Sequence, residues 1–285
     1  MKSEEEIFTP FRPYCAYLAS EPNAECLNKL GKLCAKAETQ DLEVIQEYLV
    51  FPAQLHLKEK ARTTPQNYTI SILDYIQTLY KRIRLSSLFL FRDLLSSCLA
   101  LVSVKNDNSV RVNEDLQISI CDTVRQLVTS SLRGEAGGVI FSELASTDHD
   151  LKLPLSHLIY TSLSWASEDT APASVRLSCL SLLTSLCPPA SPHSPQLASL
   201  YSSMLPGMTS KLARLIQTSK VSQASVTAAA ISCWSTYVSL VLEDSNFNIP
   251  NDPSQLSLTP IKDDKWLKEA SNQVSNIVSI SALFD

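Results

Sequence analysis

Apolar residues recur every three to four positions along most of the sequence, and this spacing constrains the fold more than any other feature. It is the period of an amphipathic α-helix. No stretch shows the sustained two-residue alternation, bounded by turn residues, that indicates a strand. Only 5 of the 285 residues are glycine, which disfavours tight hairpins and phosphate-binding loops. The sequence therefore predicts an all-α chain.

The periodic stretches are separated by segments rich in turn-forming residues, such as 105–109, 167–174 and 187–195. A polar, proline-containing stretch at 244–262 predicts a flexible loop. It divides helical repeats at 1–243 from the start of a further repeat at 263–285. The predicted helices cover 3–19, 22–37, 40–57, 66–83, 85–104, 114–131, 136–146, 152–166, 173–186, 195–218, 222–243 and 263–282.

Three of these apolar helices contain a proline, at Pro52, Pro154 and Pro206. Each proline is followed 20 to 21 residues later by the start of another apolar helix, at Ile72, Val175 and Val226 respectively. Repetition at this scale is typical of stacked helical hairpins, and it predicts an α-solenoid of about five hairpins. Pro206, followed by Gly207, has two interpretations: a kink inside one helix, or the first turn of a separate helix.

Cysteine usage and charge narrow the location and the partners. The eight cysteines include no CxxC pair, and no signal peptide precedes them, so we expect reduced core thiols in a cytoplasmic protein, with the nucleus as a second location. The net charge of −5 gives no overall attraction to nucleic acid. Residues 221–242 carry no charge and are long enough for a membrane-spanning helix. Serines such as Ser225, Ser232 and Ser239 occupy one helical face, however, so the stretch predicts a two-faced helix and no membrane span.

Residues that could carry chemistry do not form a recognised pattern. The four histidines lack metal-ligand spacing, the "GEAGG" segment at 134–138 lacks the lysine of a phosphate loop, and no nucleophile motif occurs. We therefore predict no catalytic, cofactor-binding or metal-binding residues, against the alternative of an enzyme built on a helical bundle. Trp165 and Trp234 lie in apolar stripes and are expected in the core, whereas Trp266, beside charged residues, is a weak partner-binding candidate.

A cluster of cations, Lys81, Arg82 and Arg84, ends one predicted helix. It could dock an acidic partner, or it could interact with the negative end of the helix dipole. The second interpretation is the more economical because it needs no partner.

The segment "LPLSHLIYTSLSWASEDTAPASVRLSCLSLLTSL" (153–186) resembles a HEAT repeat, with Pro154, Asp169, Val175 and Arg176 at the matching places. In the repeat whose second helix begins at Val226, Thr227 occupies the position where the HEAT pattern has arginine. The resemblance implies a HEAT/ARM-like fold and a role in protein–protein contact.

A second resemblance is more specific. "EEEIFTPFRPYCAYL" (4–18), "IQEYLVFPAQLHLK" (45–58), "YSSMLPGMTSKLARLI" (201–216), "VTAAAISCWSTYVSLVLED" (226–244) and "DKWLKEASNQVSNIV" (264–278) are similar to the amino-terminal portion of the Tel-two-interacting protein one family. Members of that family are several times longer, so the chain resembles either a fragment or a truncated form of one.

This resemblance implies a non-catalytic scaffold subunit of the TTT cochaperone complex. The implied partners are the other two TTT subunits, the heat-shock chaperone machinery and the phosphatidylinositol-kinase-related kinases, which include TOR and the DNA-damage kinases. The complex supports the maturation, stability and assembly of those kinases. The alternative is a generic HEAT-type adaptor in transport or trafficking, which the same fold would serve.

Overall fold

A computed structural model of the chain describes residues 3–58, 64–85, 87–106, 113–132, 149–187, 195–218 and 223–242. These ranges contain helices and no strand, so the all-α prediction is confirmed. The helices of the described ranges are α1 (Glu4–Phe8), α2 (Arg12–Ser20), α3 (Ala24–Lys36), α4 (Thr39–Val44), α5 (Gln46–Lys58), α6 (Gln66–Arg82), α7 (Leu88–Asn106), α8 (Glu114–Ser131), α9 (His149–Ala166), α10 (Ala173–Ser185), α11 (Pro195–Thr218) and α12 (Ala224–Leu242).

The chain divides into two compact units, residues 1–140 and 141–285. Unit 1 contains three helical hairpins, α2/α3, α5/α6 and α7/α8, which pack in chain order. The first helices of these hairpins form one layer (A), in which α2 contacts α5 and α5 contacts α7. The second helices form the other layer (B), in which α3 contacts α6 and α6 contacts α8. This serial packing is that of stacked repeats.

Unit 2 repeats the arrangement with two hairpins, α9/α10 and α11/α12. Its A layer pairs α9 with α11, and its B layer pairs α10 with α12. The described residues thus contain five hairpins, as the proline repeat predicts, and the stacked-hairpin fold class is confirmed.

The core of unit 1 lies between its two layers. Leu18, Leu30, Leu49 and Ile72, which come from α2, α3, α5 and α6, line one enclosed space and are at most 1% exposed. Burying a leucine or isoleucine side chain contributes about 1.5–3 kcal/mol. Each hairpin therefore depends on its neighbour to cover its apolar face.

Two predicted helices are split in the structure. The stretch 3–19 forms α1 and α2, because Pro10 and Pro13 lack two backbone donors that a continuous helix would need; Pro13 instead lies in the first turn of α2. The stretch 40–57 divides into α4 and α5 at Ile45, whose φ of −104° and ψ of 13° leave the helical region. The predicted helices at 136–146 and 263–282 lie outside the described residues, so the boundaries at 244–262 and 263–285 stay predictions.

Pro206 lies inside one continuous helix, α11, which extends from Pro195 to Thr218. The interpretation in which Pro206 begins a separate helix is therefore wrong. Pro52 likewise lies within α5. A Cβ atom added at Gly207 would meet nothing within 4 Å, so no close approach requires glycine there.

The uncharged helix α12 has two faces, as predicted. Val226, Ala230 and Tyr237 are completely buried, whereas Ser225 and Ser232 on the opposite face are exposed. In the ranges that the structure describes, no helix combines the length and the apolarity needed to cross a bilayer.

Candidate interaction surfaces

The structure tests the predicted site residues only where it describes their side chains. Trp266, the partner-binding candidate, lies outside the described residues. Trp165 and Trp234 are half-buried, and the Trp234 indole N–H donates a hydrogen bond to the Thr209 hydroxyl at 3.2 Å. Among the described side chains, no group of three or more His, Cys, Asp or Glu residues could hold a metal ion.

Two of the HEAT-like residues, Asp169 and Arg176, meet at the turn between α9 and α10. The guanidinium of Arg176, on α10, is 5% exposed and donates to the backbone carbonyls of Glu168 and Asp169 at 3.0 and 3.4 Å. It also donates to the Gln223 side chain at 3.2 Å, just before α12 begins. One buried arginine thus fixes a turn and links two successive hairpins.

The same turn borders a polar groove of 340 Å³, lined by Trp165 of α9 and by Lys211 and Arg214 of α11. Arg214 pairs with Asp169 at 3.4 Å, and both side chains are largely exposed, so this ion pair contributes little to stability. The ammonium of Lys211 lies 5.8 Å from the Tyr160 ring centroid. Carboxylates of the turn offset the groove's two cations, so the groove has no strong preference for anions.

In unit 1, Arg82 connects α6 with the end of α3. Its guanidinium donates to the backbone carbonyls of Cys34 and of Ala37, the latter at 3.0 Å. The last carbonyls of a helix have no partner within the helix, and Arg82 supplies one across the hairpin boundary. Arg84 pairs with Glu43 at 3.4 Å. Arg82 therefore links α6 to the preceding hairpin, and Arg84 links the end of α6 to α4. The dipole interpretation missed that these two cations reach other helices.

A similar link joins α8 to α6. The Gln126 amide donates to the Tyr80 carbonyl at 3.0 Å, and the Ser130 hydroxyl donates to the Ile83 carbonyl at 2.7 Å. The Ser130 oxygen in turn accepts from the Leu85 backbone N–H at 3.0 Å. The end of α6 is thus held from α8, as the end of α3 is held from α6.

Buried tyrosines make further links between the helices of a unit. The Tyr75 hydroxyl on α6 donates to the Leu49 carbonyl on α5 at 3.2 Å. The Tyr237 hydroxyl on α12 donates to the Leu183 carbonyl on α10 at 3.0 Å. Burial raises the pKa of both phenols well above 10, so they remain neutral donors at physiological pH.

The eight cysteines are free thiols, seven of them buried and Cys26 half-buried. Burial raises the pKa of Cys15 to about 12 and that of Cys34 to about 11. Since the thiolate is the reactive form, these side chains act as small apolar residues of the core and not as nucleophiles.

A groove of 460 Å³ lies between the B-layer helices α3 and α6 of unit 1. Its α3 wall consists partly of small residues, and Lys32 and Asp74 stand at its rim. Partial burial raises the pKa of Asp74, an effect that Lys81 opposes and Asp122 reinforces. A groove with an apolar floor and a mixed-charge rim suits a protein segment better than a small reactive substrate.

One of three comparisons with known proteins found a match, and it is to a helical-repeat domain. Residues 8–281 match a family model described as the TTI1 N-terminal TPR domain. A search of curated proteins and a search of solved structures each found no match. The description names TPR repeats, whereas residues 153–186 resemble a HEAT repeat. Both classes consist of stacked helical hairpins.

Proposed function

From the premise that the chain belongs to the family of the TTI1 N-terminal TPR domain, we propose that it is a non-catalytic scaffold subunit of the TTT cochaperone complex. In this role it binds the other two TTT subunits and supports the maturation, stability and assembly of the phosphatidylinositol-kinase-related kinases, TOR and the DNA-damage kinases, together with heat-shock chaperones. The family match over residues 8–281 is the observation that carries the proposal.

The architecture supports a role in binding. Stacked hairpins expose the outward faces of two helix layers in each unit, and such surfaces bind extended protein segments. The buried polar side chains mostly bond to the chain's own backbone, and the groove between α3 and α6 combines apolar residues with the charged Lys32 and Asp74. Helical-repeat families of this kind are typically non-catalytic scaffolds.

The proposal is tested by capturing the tagged full chain from cells and immunoblotting for the other two TTT subunits and for the kinases. The unfolding control is Leu73→Asp, since Leu73 is fully buried on α6 and an unpaired charge there costs several kcal/mol. Asn67→Asp places the same charge on an exposed position of the first turn of α6, where a carboxylate is tolerated. We expect the wild type and Asn67→Asp to recover the partners and Leu73→Asp to lose them.

Recovery of none of these partners by a folded wild-type chain contradicts the proposal. Recovery of transport or trafficking proteins in their place identifies the generic adaptor. We further propose a cytoplasmic location with a nuclear fraction, which cell fractionation of the tagged chain measures.

A further inference from the structure

An exposed apolar stripe follows α4 and the start of α5 in unit 1. Val44, Tyr48 and Phe51 are 53%, 48% and 56% exposed, and their spacing of four and then three residues places them on one helical face. The i to i+4 hydrogen bonds from Ile45 to Asp41 and from Leu49 to Ile45 carry the helical winding across the α4–α5 junction. We name these three side chains the aromatic stripe.

Tyr48, the middle residue of the aromatic stripe, is held in place by α1. The Tyr48 ring stacks on Phe8 of α1, with the centroids 4.9 Å apart and an interplanar angle of 30°. The Arg12 guanidinium lies 5.9 Å from the Phe8 centroid and 3.5 Å from the Glu5 carboxylate. An exposed aromatic ring that is already ordered loses little side-chain freedom when a partner binds.

The opposite face of α5 packs into the core of unit 1. Leu49, Val50 and Leu57 are completely buried in the helix that contacts α2, α6 and α7. The aromatic stripe is therefore not needed to stack the hairpins. Exposed, clustered aromatic side chains are typical of the centres of protein interfaces.

Acidic residues border the aromatic stripe. The segment from 38 to 51 has no basic residue but contains Glu38, Asp41, Glu43 and Glu47, and α1 adds Glu4, Glu5 and Glu6. Arg12 and Arg84 form ion pairs with Glu5 and Glu43. Residues 38–51 and α1 contain only acidic charges, so these two stretches have a net negative formal charge even with the two arginines included. A negative rim favours a positively charged partner and repels anionic lipid.

We propose that the aromatic stripe docks an amphipathic protein segment that presents apolar side chains flanked by lysine or arginine. The apolar side chains of the segment cover Tyr48 and Phe51, and its cations face the acidic border. This surface is separate from the groove between α3 and α6. The docking proposal does not depend on which complex the chain belongs to.

The test measures fluorescence anisotropy of a labelled 14-residue peptide, with leucine at helical spacing and lysine elsewhere, titrated with the full chain. A matched peptide has glutamate in place of lysine. Phe51→Ser removes an exposed side chain and keeps the Phe8–Tyr48 contact, and Val44→Ser is a second such variant. Tyr160→Ser removes an equally exposed aromatic residue, 62% exposed, from a place beside Lys211 in unit 2. Glu47→Gln weakens the acidic border.

We expect the lysine peptide to bind and the glutamate peptide not to bind. Phe51→Ser should raise its Kd about tenfold or more, Glu47→Gln should raise it less and reduce its salt dependence, and Tyr160→Ser should leave it unchanged. Equal binding by Phe51→Ser, Val44→Ser and the wild type, or by the glutamate peptide, overturns the proposal. So does concentration-dependent dimerisation, seen by analytical ultracentrifugation, that Phe51→Ser abolishes, because the occupant is then a second copy of this chain.

Discussion

Two buried tyrosines on α6 allow the value of one inter-helix hydrogen bond to be measured. Tyr75 and Tyr80 are 7% and 0% exposed. The Tyr75 hydroxyl donates to the Leu49 carbonyl at 3.2 Å, whereas the Tyr80 hydroxyl has no hydrogen-bond partner among the described residues. Tyrosine to phenylalanine removes the same oxygen at both positions, so effects on the unfolded chain cancel in the comparison.

The two substitutions should change the free energy of unfolding in opposite directions. Tyr75→Phe loses one hydrogen bond, and the net contribution of such a bond to stability is about 0.5–1.5 kcal/mol. Tyr80→Phe removes a buried hydroxyl that is desolvated without compensation, which stabilises by about 1 kcal/mol or more.

Urea unfolding followed by circular dichroism at 222 nm measures both changes, with the midpoint and the slope fitted separately. The expected difference between the variants is about 2 kcal/mol, which corresponds to a difference in Tm of about 4–8 °C for a chain of this size. Both residues lie in unit 1 and on one helix, so the comparison does not depend on whether the two units unfold together. Equal losses for both variants would refute the assignment of the Tyr75–Leu49 bond as stabilising.

Four further outcomes follow from other residues. Gly207→Ala should stabilise by about 0.5–1 kcal/mol, because alanine favours the helix and its Cβ meets nothing within 4 Å; an unchanged or lower Tm would contradict this. Arg82→Met should destabilise by about 1–2 kcal/mol in urea unfolding, because two helix-end carbonyls lose their donor. Arg82→Lys should recover less than half of that loss, since the lysine ammonium lacks the planar fork of the guanidinium. Ellman's reagent at pH 8 should label Cys26 first and the buried thiols only on unfolding. Because the folded chain raises the pKa of Cys34 to about 11 and that of Cys15 to about 12, it retains protons that the unfolded chain releases above about pH 8.5. Stability should therefore be full below that pH and fall as the pH rises toward 12, and a flat alkaline profile would count against the burial of these thiols.

The helices were predictable because each depends on a local signal. The two faces of α12 are visible in the order of its serines and apolar residues, and the turn at 167–172 between α9 and α10 has the composition of a turn. The missed break at Thr9–Phe11 also had a signal, since Pro10 and Pro13 remove two donors in one turn. The break at Ile45 had none, because isoleucine is compatible with a helix and the change of backbone angle depends on tertiary packing.

The contacts between hairpins were not predictable in the same way. Arg82 could be identified as a helix-end cation, but its acceptors, Cys34 and Ala37, are more than 40 residues away in the sequence. Which carbonyl a side chain reaches is decided by the stacking of hairpins, which no local pattern encodes. The aromatic stripe did have a signal, the spacing of Val44, Tyr48 and Phe51, but that spacing is equally typical of a buried face, and only the structure shows that the face is exposed.

The links from Arg82 to α3 and from Gln126 and Ser130 to α6 all point backward along the chain. During synthesis on the ribosome, α3 and α6 therefore emerge before the side chains that complete their carboxyl ends. The hairpins α2/α3 and α5/α6 reach their final stability only after the following hairpin has left the exit tunnel, so folding of unit 1 during translation should lag the growing chain by one repeat.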